Sequence, residues 1–61
     1  MRLKELRQRK GVTQQAVARK IKCTANTYAR YERGEREPDC STLIRLSKYF
    51  GVSIDHILCN D

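Results

Sequence analysis

The sequence of 61 residues predicts a compact all-α domain of five short helices. Apolar residues recur at helical spacing in several segments, and no segment sustains the polar–apolar alternation of a β-strand. Each of the three glycines also follows a helix-like stretch, where a helix usually ends. A chain of this length forms one domain at most, which we place over residues 1–61.

The first two helices are each predicted from one inward stripe and one residue that marks an end. The first covers residues 2–10 and is ended by Gly11, and the second covers residues 14–21 after Thr13, a good N-cap. The stripe of the first helix consists of Leu3, Leu6 and Arg7. The inward face of the second consists of Val17, Ala18 and Ile21. Both faces can pack on one core.

The third helix is predicted over residues 25–33, between the N-cap Thr24 and Gly34, and it has two unlike faces. Its inner side consists of Tyr28, Tyr31 and Glu32. Its outer side consists of Asn26, Arg30 and Arg33, flanked by the small Ala25 and Ala29. Amide and guanidinium groups suit the base edges of DNA, because Asn pairs with adenine and Arg with guanine. A solvated surface explains the same face equally well.

The inner side of the third helix contains one residue that needs a partner. Glu32 shares its stripe with Tyr28, and a buried carboxylate requires a compensating charge or hydrogen bonds. Arg7 lies on the inner stripe of the first helix and can supply both. We therefore expect an ion pair between Arg7 and Glu32 that ties the first helix to the third.

The fourth and fifth helices follow a polar loop. Asp39 caps a fourth helix over residues 40–50, which Gly51 ends, and Ser53 caps a last helix over residues 54–59. The inward spacing of the fourth helix selects Cys40, Leu43, Leu46, Ser47 and Phe50. The last helix buries Ile54 and Ile57. These two helices are expected to close the core.

The charge is unevenly distributed along the chain. The formal net charge is +6, with residues 1–36 carrying a formal +8 and residues 37–61 a formal −2. This asymmetry fits a surface that faces a polyanion, backed by a scaffold, and it fits a soluble protein with a generous surface charge equally well. No apolar run approaches the roughly 20 residues of a membrane span, and the N-terminus lacks the apolar stretch of a signal peptide. We therefore expect a cytoplasmic protein without membrane contact.

The chemically reactive residues predict neither catalysis nor metal binding. The three cysteines are an odd number without a CxxC pair, which argues against a disulfide framework, and His56 and Cys59 alone do not make a zinc site. No set of nucleophile, base and orienting residue is evident, so we expect no enzyme activity. No cofactor or small-molecule ligand is indicated.

The second helix, a three-residue turn and the basic third helix form the pattern of a helix-turn-helix. Across essentially the whole chain, the sequence resembles the Cro/cI-type (lambda-repressor-like, XRE) helix-turn-helix family. The matching segments are residues 13–18, residues 24–34, Pro38, and the run from Leu43 to Ser53. The resemblance implies a five-helix lambda-repressor-like fold, with the motif over about residues 14–33. It also implies sequence-specific DNA binding by a small transcriptional regulator, which we expect to be a repressor.

The resemblance also assigns roles to individual residues. The positions that match base-reading residues are Ala25, Asn26 and Arg30. Those that match phosphate or backbone contacts are Gln14, Thr24, Thr27, Arg33 and Arg36. Arg7 and Glu32 match the buried ion pair of the family, the same pair that the helix faces predict.

The chain departs from the family pattern at several positions. Lys22 stands where the turn usually has a glycine with positive φ, at a cost of about 1 kcal/mol. Cys23 and Cys40 replace the usual valine and leucine, and we expect both in the core. Ala25 can make only an apolar base contact, so hydrogen-bonded base reading should fall to Asn26 and Arg30.

The expected partner is a double-stranded DNA operator with two half-sites, bound by a weak homodimer. The dimer is expected to form through the last helix, with His56 and Leu58 near the two-fold axis. One alternative is a protein-interaction module of the antitoxin or adaptor type, compatible with the apolar last helix and the C-terminal residues 59–61. Another is a basic protein that binds nucleic acid without sequence preference.

Overall fold

The computed structural model describes residues 1–59, so Asn60 and Asp61 of the C-terminal end lie outside the described residues. The described chain contains five helices and no strand: α1 Leu3–Lys10, α2 Gln14–Lys20, α3 Ala25–Arg33, α4 Cys40–Phe50 and α5 Ile54–Leu58. The predicted all-α class is confirmed, and each predicted helix end lies within one residue of the observed one. None of these helices is long and apolar enough to cross a membrane.

Four of the five helices begin directly after the residue whose side chain was predicted to cap them. The capping oxygens accept hydrogen bonds from backbone N–H groups three residues later, at 2.9–3.1 Å. The capping residues are Thr13, Thr24, Asp39 and Ser53. These caps supply partners for backbone donors that no helical turn can satisfy, which is why short helices start at these positions.

The core lies where α1 meets both remaining helix pairs. α2 packs on α3, α4 packs on α5, and α1 contacts α3 and α4. The Arg2 N–H also donates to the Ile57 carbonyl at 3.0 Å, so the start of the chain is bound to α5. The buried cluster consists of Leu3, Leu6, Val17, Ala18, Ile21, Tyr28, Tyr31, Leu46 and Ile57. This arrangement leaves the outer side of α3 uncovered.

One of the two cysteines expected in the core is exposed. Cys23 is half-buried and packs against the core, but Cys40 is exposed, and the expectation for it is wrong. Cys40 is the first residue of α4, and side chains of a helix lean towards its N-terminus. The Cys40 thiol therefore lies beyond the packed part of the helix. Thr42, which the spacing did not select, is buried on α4 instead.

Candidate nucleic-acid interface

The exposed side of α3 carries the polar stripe identified in the sequence. Asn26, Arg30 and Arg33 are all exposed. On the opposite side of the helix, Tyr28 and Tyr31 are buried in the core. α3 is thus anchored through its aromatic side and offers amide and guanidinium groups to solvent.

The two alanines beside this stripe differ in exposure. Ala25 is exposed at the start of α3, whereas Ala29 is buried. α2 packs on α3, and Ala18 of α2 is buried as well. Small side chains on both helices allow a close approach of their axes.

The turn between α2 and α3 consists of Ile21, Lys22 and Cys23. The Cys23 N–H donates to the Ala18 carbonyl at 3.0 Å, and the Lys22 N–H donates to the Arg19 carbonyl at 3.4 Å, as in a Schellman turn. Lys22 has a φ of 62°, the left-handed conformation expected of the glycine that usually stands at this position of the turn. The turn therefore keeps its shape at the expense of strain, and it places a cation between the two helices.

A buried ion pair fixes α3 relative to α1. The Arg7 Nε donates to the Glu32 Oε2 at 2.6 Å, and the Arg7 Nη2 donates to the Oε1 at 3.4 Å. The two side chains retain only 16% and 4% of their accessible surface. The structure thus brings together the two residues that the helix faces assign to one pair.

The charge states within this pair follow from its surroundings. Burial alone would raise the pKa of Glu32, but hydrogen bonds from Arg7 and Gln14 lower it below its usual value. The hydrogen bond to Glu32 raises the pKa of Arg7. Burial, and then the neighbouring Glu32, raise the pKa of Tyr28, so its hydroxyl keeps its proton. The pair is therefore fully ionised at neutral pH.

Two further groups complete the network, and the sequence did not identify either in this role. The Arg7 Nη1 donates to the Val12 carbonyl at 3.0 Å, and the Gln14 Nε2 donates to the Glu32 Oε1 at 3.0 Å. Gln14 is the first residue of α2, so the network joins α1, the following loop, α2 and α3. The second N–H of the Gln14 side-chain amide remains to donate to an anion.

The other residues expected to contact phosphates lie at the two ends of α3. The Thr24 hydroxyl accepts from the Thr27 N–H at 3.1 Å and donates to the Thr27 Oγ1 at 2.9 Å. Because the Thr27 hydroxyl accepts in this bond, its own hydrogen can be donated to a ligand. Arg36 is exposed in the loop that follows α3.

The sequence reasoning did not single out Glu35, which lies against two of the expected DNA-binding residues. Its Oε2 is 2.6 Å from the Arg33 Nε, and its Oε1 is 3.8 Å from the Arg30 Nε. The hydrogen bond from Arg33, followed by the charges of both arginines, lowers the pKa of Glu35. The sequence feature that could have indicated this position is Gly34. Its left-handed φ of 76° directs the next residue back beside the end of α3.

The last helix divides its apolar residues between the core and the surface. Ile57 is fully buried, and Val52 just before the helix packs against the core. Leu58 and His56 are half-buried. Leu58 lines a shallow groove of about 520 Å³ together with Met1, Gly34, Glu37, Pro38 and Leu43.

A family model and several curated proteins match this sequence. A family model described as helix-turn-helix matches residues 3–57. The HTH-type transcriptional regulator ImmR of Bacillus subtilis is 45% identical over 60 residues, which are 98% of this chain and 47% of that protein. The SPbeta prophage-derived uncharacterized HTH-type transcriptional regulator YonR of Bacillus subtilis is 46% identical over 57 residues, which are 93% of this chain and 53% of that protein.

A more distant relative is named as a repressor. The cryptic phage CTXphi transcriptional repressor RstR of Vibrio cholerae is 33% identical over 57 residues, covering 93% of this chain and 51% of that protein. The chain therefore spans about half the length of the curated relatives it matches. No solved structure matches the chain.

Proposed function

Because the chain belongs to the helix-turn-helix family, we propose that it is the DNA-binding domain of a transcriptional regulator. The resemblance to the Cro/cI-type branch, stated from the sequence motifs, is confirmed by these relatives. One observation carries the proposal. An exposed helix bears an amide and two guanidinium groups on one side, while its other side is fixed by buried tyrosines and an ion pair.

In this proposal α3 lies in the major groove and reads base edges. Arg30 and Asn26 are the hydrogen-bonding readers, the first suited to guanine and the second to adenine. Ala25 adds an apolar contact, for example to a thymine methyl group. The buried side of α3 supports this role because a rigid helix holds its readers at a fixed angle to the groove.

Phosphate contacts surround this helix and supply most of the affinity. The residues proposed to make them are Gln14, Thr24, Thr27, Arg33 and Arg36. These residues are far apart in the sequence. The fold brings them onto one unit, because α2 packs on α3. Such contacts position the protein on the duplex without reading sequence.

The proposed biological activity is repression by occupying an operator, without any chemical step. The name of the related phage protein RstR, a transcriptional repressor, supports this choice. The family consists of DNA-binding regulators rather than enzymes, in line with the absence of a predicted catalytic set.

Salt dependence and selection test DNA binding together. In vitro selection from a random duplex library should enrich one motif. The logarithm of its affinity should fall with the logarithm of salt concentration by about 0.9 per neutralised phosphate. Arg36→Ala should weaken all duplexes and make this slope shallower, whereas Arg45→Ala on α4 should change neither. A salt-independent affinity, or no enriched motif, contradicts the proposal.

Base reading is tested on the enriched duplex. Arg30→Ala should weaken binding by about 1–3 kcal/mol and relax the preference at one base pair. A panel of duplexes, each changed at one position, measures that preference. If the variant keeps the base preferences of the wild type, Arg30 does not read the groove.

A homodimer through α5 extends this proposal to two half-sites. One recognition helix reads too few base pairs to select a site against a genome of competitors. Leu58 and His56 lie two residues apart on α5 and are both half-buried, so part of each side chain remains for a two-fold contact. Pairing there would place two recognition helices about 10 base pairs apart on one face of the duplex.

Sedimentation and operator titration test this interface. Leu58→Asp should abolish dimers and cooperative binding of two half-sites, while a thermal melt reports that the variant is folded. Ile44→Asp is the matched control, because Ile44 is exposed on α4 and outside the proposed contact. A folded Leu58→Asp variant that still binds cooperatively excludes this interface.

A further inference from the structure

Glu35 is held beside the recognition helix by backbone as well as side-chain contacts. Its N–H donates to the Arg30 carbonyl at 2.9 Å, and Gly34 before it adopts a left-handed φ of 76°. This turn closes α3 and directs the next carboxylate back over the last helical turn. The position of Glu35 is therefore set by the end of the helix itself.

The Glu35 carboxylate lies beside the Nε atoms of both Arg30 and Arg33. Its oxygens lie 2.6 Å from the Arg33 Nε and 3.8 Å from the Arg30 Nε. The Arg33 Nη2 also donates to it, at 3.4 Å. A guanidinium has five N–H donors, so the pairing at Nε leaves terminal nitrogens for DNA while restricting how each side chain points.

We propose that Glu35 is a positioning residue that determines how strictly α3 discriminates between DNA sequences. The inference rests on the proposed function and concerns the same surface. Glu35 orients Arg30 so that its terminal nitrogens face a base, and it competes with phosphates for the Nε edge of Arg33.

These two effects of Glu35 differ between the preferred duplex and a random duplex. On the preferred site, Arg30 bonds a base through its terminal nitrogens, so the Nε edge and Glu35 can remain together. On a random duplex the available ligands are mainly phosphates, and both arginines gain most by turning towards them. Glu35 opposes that turn by holding the guanidiniums and by repelling phosphate. It therefore weakens non-specific binding more than specific binding.

The test compares Glu35 with Glu5, an exposed glutamate on α1. Glu35→Gln removes the carboxylate that pairs with the arginines. Glu5→Gln makes the same change in net charge outside both the exposed side of α3 and the groove beside Leu58. The backbone N–H of residue 35 is retained, so the end of α3 is preserved. Affinities are measured for the duplex enriched by selection and for a random duplex of equal length.

We expect Glu35→Gln to tighten binding to the random duplex about two- to fivefold more than binding to the enriched one, the size of effect typical of an exposed ion pair. The salt slope on the random duplex should steepen, and the base pair read by Arg30 should become less selective. Glu5→Gln should tighten both duplexes equally and keep the base preference.

Two results separate this inference from the proposed function. If Glu35→Gln tightens both duplexes equally, as Glu5→Gln should, Glu35 contributes only net charge and the inference is wrong. If instead the wild-type protein binds enriched and random duplexes alike, the proposed sequence-specific function itself fails.

Discussion

Two Arg–Glu pairs at the two sides of α3 have the same geometry and opposite surroundings. In each, an arginine Nε lies 2.6 Å from a glutamate Oε2, and an Nη2 donates to the Oε1 at 3.4 Å. The side chains of Arg7 and Glu32 are 16% and 4% exposed, whereas those of Arg33 and Glu35 are 53% and 51% exposed. Distance alone therefore does not reveal what an ion pair does.

The difference lies in what replaces water around each pair. The inner pair is Arg7 and Glu32. Arg7 also donates to the Val12 carbonyl, and Glu32 also accepts from the Gln14 amide. Removing one of its members leaves a desolvated charge without compensation. The outer pair, Arg33 and Glu35, remains hydrated. Glu35 can exchange its partner for solvent, and Arg33 can exchange its partner for solvent or a phosphate, at a small cost in free energy. The inner pair stabilises the fold, and the outer one can be used in binding.

The largest effect is expected when the inner pair is broken. Glu32→Ala should lower the free energy of unfolding by about 3–5 kcal/mol, because Arg7 then stays buried without a counter-charge. For a domain this small, that loss approaches the whole stability. Urea denaturation followed by circular dichroism measures it.

Two controls make this comparison specific. Glu35→Ala should leave the urea midpoint close to that of the wild type, because the outer pair is hydrated. Replacing both Arg7 and Glu32 by alanine should destabilise less than the sum of the single changes. Equal losses for Glu32→Ala and Glu35→Ala would show that burial does not distinguish the pairs.

The second-largest effect is expected from acid, which should remove the stability that the inner pair contributes. The pKa of Glu32 is lower in the folded protein than the unfolded value of about 4.3, so its contribution is complete above that value. The contribution is lost as the pH falls through the lowered pKa, because the folded carboxylate must then take up a proton. Urea midpoints measured from pH 7 down to pH about 2 should therefore fall steeply below about 4.3.

The outer pair supplies the control for acid sensitivity. The pKa values of Glu35 and Asp39 are lowered as well, but both residues are exposed, and solvent screens their interactions. Glu35→Gln should therefore retain most of the acid sensitivity of the wild type. Loss of that sensitivity in Glu35→Gln would assign it to the outer pair.

The smallest effect is expected at Lys22, where an exposed residue lowers stability through its backbone rather than its charge. Lys22→Gly should raise the free energy of unfolding by about 1 kcal/mol by relieving the left-handed conformation. Lys22→Ala removes the same charge but keeps the Cβ, so it should not stabilise. Both variants should bind DNA less tightly than the wild type, and equal urea midpoints for the two would exclude backbone strain as the cause.

Local patterns determined most of the fold in advance. Caps and helix-ending glycines act through backbone groups within a few residues, so Thr13, Asp39 and Gly34 place helix ends without reference to the rest of the chain. Helical spacing likewise turns Arg7 and Glu32 inwards on two separate helices. Where the sequence failed, as at Cys40, burial depended on how far the packed part of α4 extends towards its first residue.

The sequence by itself determined five helices, four of them with a capping side chain, because caps and helix geometry are local. Helical periodicity also determined the basic outer side of α3 and the two members of the inner ion pair. Only the tertiary structure decided that Gln14 shares the Glu32 carboxylate and that Glu35 reaches back to Arg30 and Arg33. Those contacts depend on the angle between helices and on the path of the chain after Gly34. No periodicity encodes either, so they emerge only when the helices pack.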